Sequence, residues 1–285
     1  LKNFGSSNSA RTGPVKYVCL QLGATLGRFL VLQQMAKGYD KKTWTLCSCL
    51  ADHLQVFTSI PKILDAYVGC NSIEPRLNES IMLTVNSVNN CPYCTGLHGE
   101  LARMAGVEEA KDIQGAKSLK EIKKITDSPA TRYARIFAFH NGRGEATDAA
   151  FDALAAKMGA GPAGSVRALC WFLLWGSIGG NTINSFLFGR LCCTPKEGSN
   201  VLFELIFFLY YGILFFLIAV VNKVLIVFPR VPAWFSAAFG VLLTFIAAIW
   251  IVPVGLLSLV TYPCHPGTGD DEEGDESSED EEGDE

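Results

Sequence analysis

Period-two alternation of apolar and polar residues is missing from this 285-residue sequence, and so are the dipeptides that turn a hairpin. Those absences predict an all-α fold for the first 190 residues. A second Cys-x2-Cys is also missing: the ten cysteines are irregularly spaced, with one compact pair, Cys91 and Cys94. That excludes a secreted disulfide framework, favours a reducing compartment, and leaves a zinc site half its ligands, with His98 the nearest further one. Basic residues are absent after 270, where 12 of the 28 acidic side chains lie; the remaining 16 acidic against 24 basic residues give the rest of the chain a charge of +8. The net charge of −4 therefore describes no part of the molecule. No nucleic-acid partner is expected. The chain opens on Leu1, and residues 1–14, rich in Ser, Asn and Gly, lack a signal-peptide pattern and are expected to be unstructured.

What is present centres on Glu79 to His98. Ile81, Val85 and Val88 form one apolar helical stripe, and Asn89-Asn90 breaks it. Pro92 suits the first position of a new helix, which makes Cys91 the N-cap and puts Cys94 in the first turn. Free N–H groups and the positive end of the helix dipole favour a thiolate there. His98, four residues after Cys94, emerges on the same face one turn on, placed to exchange a proton with it. Glu79, on the preceding helix, is placed to orient that histidine. A nucleophile, a base and a carboxylate are the parts of an activated thiol, and a second thiol within disulfide reach can resolve an oxidised first one.

The spacing Glu-x11-Cys-x2-Cys-x3-His resembles the active-site signature of the AhpD-like alkylhydroperoxidases, in the carboxymuconolactone decarboxylase-like superfamily. The resemblance is tight over about twenty residues and looser over 15–190, and all four motif positions match. It implies an all-helical fold and peroxide reduction by a dithiol–disulfide cycle, with no bound cofactor. A dithiol such as dihydrolipoamide, or a thioredoxin-like protein, would be the reductant and co-substrate. It further implies that Cys94 attacks the peroxide, Cys91 resolves, His98 and Glu79 relay protons, and the protein assembles as a trimer or a multiple of it. The decarboxylase branch lacks the cysteine pair, which argues against that chemistry.

Other readings stay open. Cys-Pro-Tyr-Cys also resembles the glutaredoxin motif, although thioredoxin-like folds place it after a strand and the surroundings here are helical. A thiol–disulfide oxidoreductase acting on proteins would use the same pair without peroxide. A non-enzymatic membrane scaffold would need none of the four residues.

Around the motif, a helix is expected over 15–35 from Val18, Leu22, Leu26, Phe29 and Leu30, and another over 42–67, broken near Pro61, with Trp44, Leu50, Leu54 and Phe57 facing the core. His53 is expected to be structural, and Cys47, Cys49 and Cys70 to be small buried residues. Gly106 ends the catalytic helix. Ser128-Pro129 opens a helix carrying Tyr133, Ile136 and Phe137 that ends at His140, and Thr147-Asp148 opens one closed by Gly159. An apolar helix over 165–188, with Trp171, Trp175 and Asn181, is expected in the helical core or a subunit interface.

Two later stretches are of membrane type. Val201 to Val221 carries one charge, Glu204, and Ala233 to Val260 carries none. At ~1.5 Å per residue each covers the ~30 Å hydrocarbon core of a bilayer. They predict a two-pass anchor, with the catalytic domain and the acidic tail on one side, a reducing cytosolic or organelle-interior side. The loop (Lys223, Arg230) and the upstream flank (Arg190, Lys196) balance in basic residues, so charge does not orient the pair. Cys192-Cys193 are candidates for palmitoylation or for burial. The tail over 265–285 reads as disordered, with Ser277 and Ser278 in an acidic context suited to phosphorylation.

Overall fold

A computed structural model describes residues 41–116, 119–191 and 195–261. The expected helix at 15–35, residues 1–14, the Cys192–Cys193 pair and the acidic tail lie outside the described residues. Among the described residues the fold is all-helical with no strand. Its elements are α1 (Leu46–Val68), α2 (Pro75–Asn89), α3 (Pro92–Ala105), α4 (Ala110–Gly115), α5 (Leu119–Ile125), α6 (Pro129–Phe139), α7 (Glu145–Met158), α8 (Ala160–Asn184), α9 (Val201–Leu225) and α10 (Ala233–Val260). A π-helical turn, Ser185–Arg190, extends α8.

Local chemistry sets most of the ends. Thr45 and Ser48 form a capping box at the start of α1. Ser128 caps α6 ahead of Pro129 at its first position, and His140 is its C-cap. The helix closed by Gly159 starts at Glu145, two residues before the expected Thr147, because Gly144 supplies its N-cap with φ 84°.

Helix α8 is the axis. It packs on α1, α2, α3, α6, α7 and α9, and Val166, Leu169, Cys170, Leu174, Trp175 and Ile178 lie in the main core. It begins at Ala160 rather than 165. Helix α1 runs unbroken through Pro61, against the expected break. The lost hydrogen bond there is outweighed by burial on both sides, of Val56 and Ile63 in the core and of Phe57 against Gly255 of α10. Being packed on two sides, α1 also buries residues other than those expected. Leu50, Leu54 and Phe57 are half-buried, whereas Cys49, Asp52, His53, Val56 and Ile63 are buried.

The buried polar pair on α1 is fully partnered. Asp52 accepts from Trp44 Nε1–H at 2.7 Å and pairs with Arg143. His53 donates from Nδ1 to the Cys49 carbonyl at 2.6 Å, which leaves Nε2 to accept from Trp175 Nε1–H at 2.9 Å; the Tyr211 hydroxyl, which donates to the Trp250 carbonyl at 3.2 Å, lies against the same nitrogen. Burial holds the His53 imidazole down to about 4, so it is neutral. Cys47 and Cys70 depart from expectation: they are exposed at the two ends of α1, and only Cys49 is buried.

Helices α9 and α10 are each long and apolar enough to cross a membrane. Helix α9 runs four residues past the expected Val221, to Leu225. The expected division into a redox domain and a separate anchor is not a division in packing. Phe207, Tyr211, Leu214 and Phe215 of α9 and Ala247 and Ile251 of α10 belong to the same core cluster as α1 and α8. A second cluster joins Leu97, Leu101 and Met104 of α3 to Leu225, with Phe235, Phe239 and Leu243 packed against it.

Candidate active site

Helices α2 and α3 meet in a tight corner. Asn90 ends α2 in the left-handed conformation (φ 54°), which asparagine tolerates. Cys91 follows as N-cap of α3, its sulfur accepting from the Cys94 backbone N–H at 3.4 Å. Asn86 holds the corner: its Oδ1 accepts from Cys91 N–H at 3.2 Å and its Nδ2 donates to Thr95 Oγ1 at 2.7 Å. From α8, Asn181 donates to the Asn89 carbonyl at 2.7 Å, and Ser177 accepts from Asn89 at 2.8 Å. Lys41 donates to the Asn90 carbonyl at 2.7 Å.

The sulfurs sit against glycines of α8. A Cβ on Gly180 would lie 2.5 Å from Cys91 Sγ and 3.1 Å from the Phe215 and Tyr93 rings, and one on Gly176 would lie 3.9 Å from Cys94 Sγ. Helix α9 closes the other side. Phe215 stacks tilted on Tyr93 at 5.3 Å, and Asn222 donates to the Tyr93 carbonyl at 3.3 Å. Cys91 is fully buried, and Cys94 keeps 6 % exposure.

His98 and Glu79 are both buried, with His98 Nδ1 at 2.9 Å from Glu79 Oε2. Among the described residues no hydrogen bond joins His98 to Cys94; the Cys94 side chain faces Cys91 instead. A cavity of about 240 Å³ opens on the far side of Glu79, lined by Tyr67, Ile73, Asn78, Trp234 and Ala237 among others. It reaches the carboxylate but not the sulfurs.

The two thiols share their proton unequally. Burial alone pushes the Cys91 thiol up. Hydrogen bonds from the Cys94 side chain and from the Cys94 and Tyr93 backbone N–H groups, with the charge of Lys41, outweigh it and bring Cys91 below the ordinary thiol value. Donation to Cys91, with burial and the Cys91 charge, pushes Cys94 well up. The lower of the two thiols is thus Cys91 at the N-cap rather than the expected Cys94, because the Cys94 side chain and the first-turn N–H groups donate to the Cys91 sulfur.

The four predicted residues form two contacting pairs, Cys91 with Cys94 and Glu79 with His98, and no hydrogen bond joins the pairs among the described residues. The sequence reading missed Asn86, Asn181, Gly176, Gly180, Phe215 and Asn222. Asn86, three before Asn89, lies off the Ile81–Val85–Val88 stripe and carried no signal of its own. The α8 and α9 residues lie 85 or more positions from Cys91 and carried none. Set against family models, curated proteins and solved structures, the chain matches none of them.

Proposed function

We propose that this protein is a membrane-attached thiol peroxidase that reduces hydrogen peroxide or an organic hydroperoxide at Cys94 and Cys91. The observation that carries this reading is a pair of neighbouring thiols, the Cys91 sulfur accepting from the Cys94 N–H, on a helix whose next turn carries His98 in a buried pair with Glu79. Cys94 passes its proton to Cys91 and attacks the terminal peroxide oxygen. The S–O bond forms as the O–O bond breaks, and the departing alkoxide leaves as alcohol with a proton relayed by His98 and Glu79. Cys91 then attacks the sulfenic sulfur, and its proton leaves with the hydroxide as water, giving the Cys91–Cys94 disulfide. An external small dithiol, of the dihydrolipoamide class, returns two electrons and two protons.

The low-lying Cys91 thiol favours a second reading, a thiol–disulfide oxidoreductase in which Cys91 attacks a protein disulfide. Burial argues against it. A protein disulfide must reach the sulfur, whereas Cys91 has no exposed surface and Cys94 only 6 %; a peroxide is far smaller.

The test is mass spectrometry of the reduced protein after stoichiometric peroxide, with free thiols alkylated. A rapid Cys91–Cys94 disulfide is expected, with Cys91→Ser trapping a sulfenic acid on Cys94. Slow oxidation scattered over all ten cysteines would overturn the reading, and a sulfenic acid trapped only on Cys91 in Cys94→Ser would reverse the two roles. The membrane part of the proposal rests on the length and apolarity of α9 and α10. It places the catalytic domain and the acidic tail on the same, reducing side.

A further inference from the structure

Each long apolar helix buries one stripe against the rest of the protein from end to end. On α10 the stripe is Gly240, Thr244, Ala247, Ile251, Gly255 and Ser258, a run of mostly small residues at helical spacing. The Tyr67 ring packs where Gly240 leaves room, and Phe57 packs at Gly255. On α9 the stripe runs from Glu204, held by Arg190 and Ser185, through Tyr211 and Phe215 to Leu225. Apart from Asn222 and the exposed Lys223 in the last turn of α9, the remaining surface of both helices is predominantly apolar. Of the large apolar side chains exposed among the described residues, all but Leu46, Val68, Phe139 and Leu191 belong to 201–260.

Two crossings of a bilayer do not fit this packing. Helix α1 lies along α10, and Lys62, between the levels of Phe57 and Tyr67, is exposed and pairs with Asp65 at 3.4 Å. If α10 crossed the membrane, that pair would stand beside its middle turns, in the hydrocarbon core, where charge is strongly disfavoured. Likewise Phe215, near the middle of α9, packs on Tyr93 between the two cysteines and would carry the active site to the same depth. The loop between the helices is also tied to the catalytic domain. Val231 N–H donates to the Met104 carbonyl at 3.1 Å, Arg103 donates to the Leu225 carbonyl at 3.0 Å, and Arg230 lies 3.9 Å from Glu108. A loop that touches the end of the catalytic helix is on the same side as that helix.

We propose that the protein sits in a single leaflet, with α9 and α10 lying along the membrane plane, their outward faces in lipid and the loop 226–232 on the same side as the active site. A bilayer leaflet is the occupant that fits, since the exposed positions of α9 from Val201 to Val220 and of α10 carry no charge. So large an apolar face does not stay in water. The inference rests on the proposed membrane attachment and not on the peroxidase chemistry. In this seat α9 is the layer between lipid and the two sulfurs.

The experiment uses the full chain carrying Arg230→Cys, a change at an exposed position whose one pair is long. Sealed membrane vesicles are treated with a membrane-impermeant maleimide before and after permeabilisation, and labelling is read peptide by peptide. The exposed native Cys47 and Cys70 report the side of the catalytic domain. The expected result is that Cys at 230 labels together with Cys47 and Cys70, either before permeabilisation or only after it, while the protein floats with the vesicles in a density gradient. Labelling of position 230 and of Cys47, which lies at the end of α1 away from the loop, from opposite sides would establish two crossings and overturn the single-leaflet seat. Failure to float would remove the membrane reading as well, and leave the thiol chemistry to its own test.

Discussion

Gly180 of α8 stands so close to Cys91 that a Cβ added there would lie 2.5 Å from the sulfur. The glycine is therefore what allows the cap cysteine to sit against the core helix. Gly180→Ala should cost about 1–3 kcal/mol through overpacking, although an alanine in a helix interior ordinarily gains about 0.5–1 kcal/mol over glycine. Gly164→Ala, on the same helix with nothing within 4 Å, is the control and should be neutral or stabilising. Thermal melts of the two variants should move in opposite directions, and disulfide formation should slow only in Gly180→Ala. Equal shifts would mean that the sulfur is free to move aside.

The buried Glu79–His98 contact at 2.9 Å makes a kinetic prediction. His98→Ala and Glu79→Gln should each lower peroxide turnover by about 10²–10⁴-fold, the range of a positioned acid–base group. Single-turnover disulfide formation by stopped flow separates this from a slow reductant step. Turnover unchanged in both variants would remove the pair from the mechanism.

The unequal thiols predict a maximum in stability against pH for the reduced protein. Between the lowered Cys91 value and the ordinary thiol value, the unfolded chain holds more protons, so stability rises with pH. Above the ordinary value the folded chain retains the Cys94 proton longer, so stability falls with pH. Urea unfolding across the alkaline range should show this rise and fall in wild type; the double variant Cys91→Ser/Cys94→Ser should lose the rise and keep a shallower fall, because burial also raises the Cys49 and Cys170 thiols.

His53 makes the corresponding prediction in acid. Its folded value of about 4 lies below that of a free histidine, so the unfolded chain binds its proton first as pH falls. Its contribution is complete above about 6.5 and is lost as pH drops toward 4, a change of about 3 kcal/mol. Asp52, raised by burial against the opposing pull of Arg143 and Trp44, acts in the opposite direction at the acid end. The comparison is therefore wild type against His53→Gln, which should show a shallower acid loss in chemical denaturation between pH 4 and 7.

Much of the site was legible in local sequence because its geometry is local. Pro92 after Cys91 placed the cap, Asn89-Asn90 placed the break, and i, i+4 spacing put His98 beneath Cys94; the structure keeps all three. What local reasoning could not rank was the two thiols. Both sit at a helix start, and only the direction of the Cys94 N–H and side chain toward Cys91 separates them.

The long-range features divide in the same way. Apolarity and length alone marked 201–221 and 233–260 as helices that must leave water, and the lack of period-two patterning pointed to the all-helical class, since both depend only on what each short segment can bury or bond within itself. Tertiary structure decided what those helices lie against. Gly240 and Gly255 admit Tyr67 and Phe57, Phe215 packs on Tyr93, and the loop at 226–232 is tied to Met104, so helices of anchor composition became one wall of the core. Such contacts join residues more than a hundred positions apart, and their strength comes from shape and hydrogen bonding between surfaces that neither segment reveals by itself.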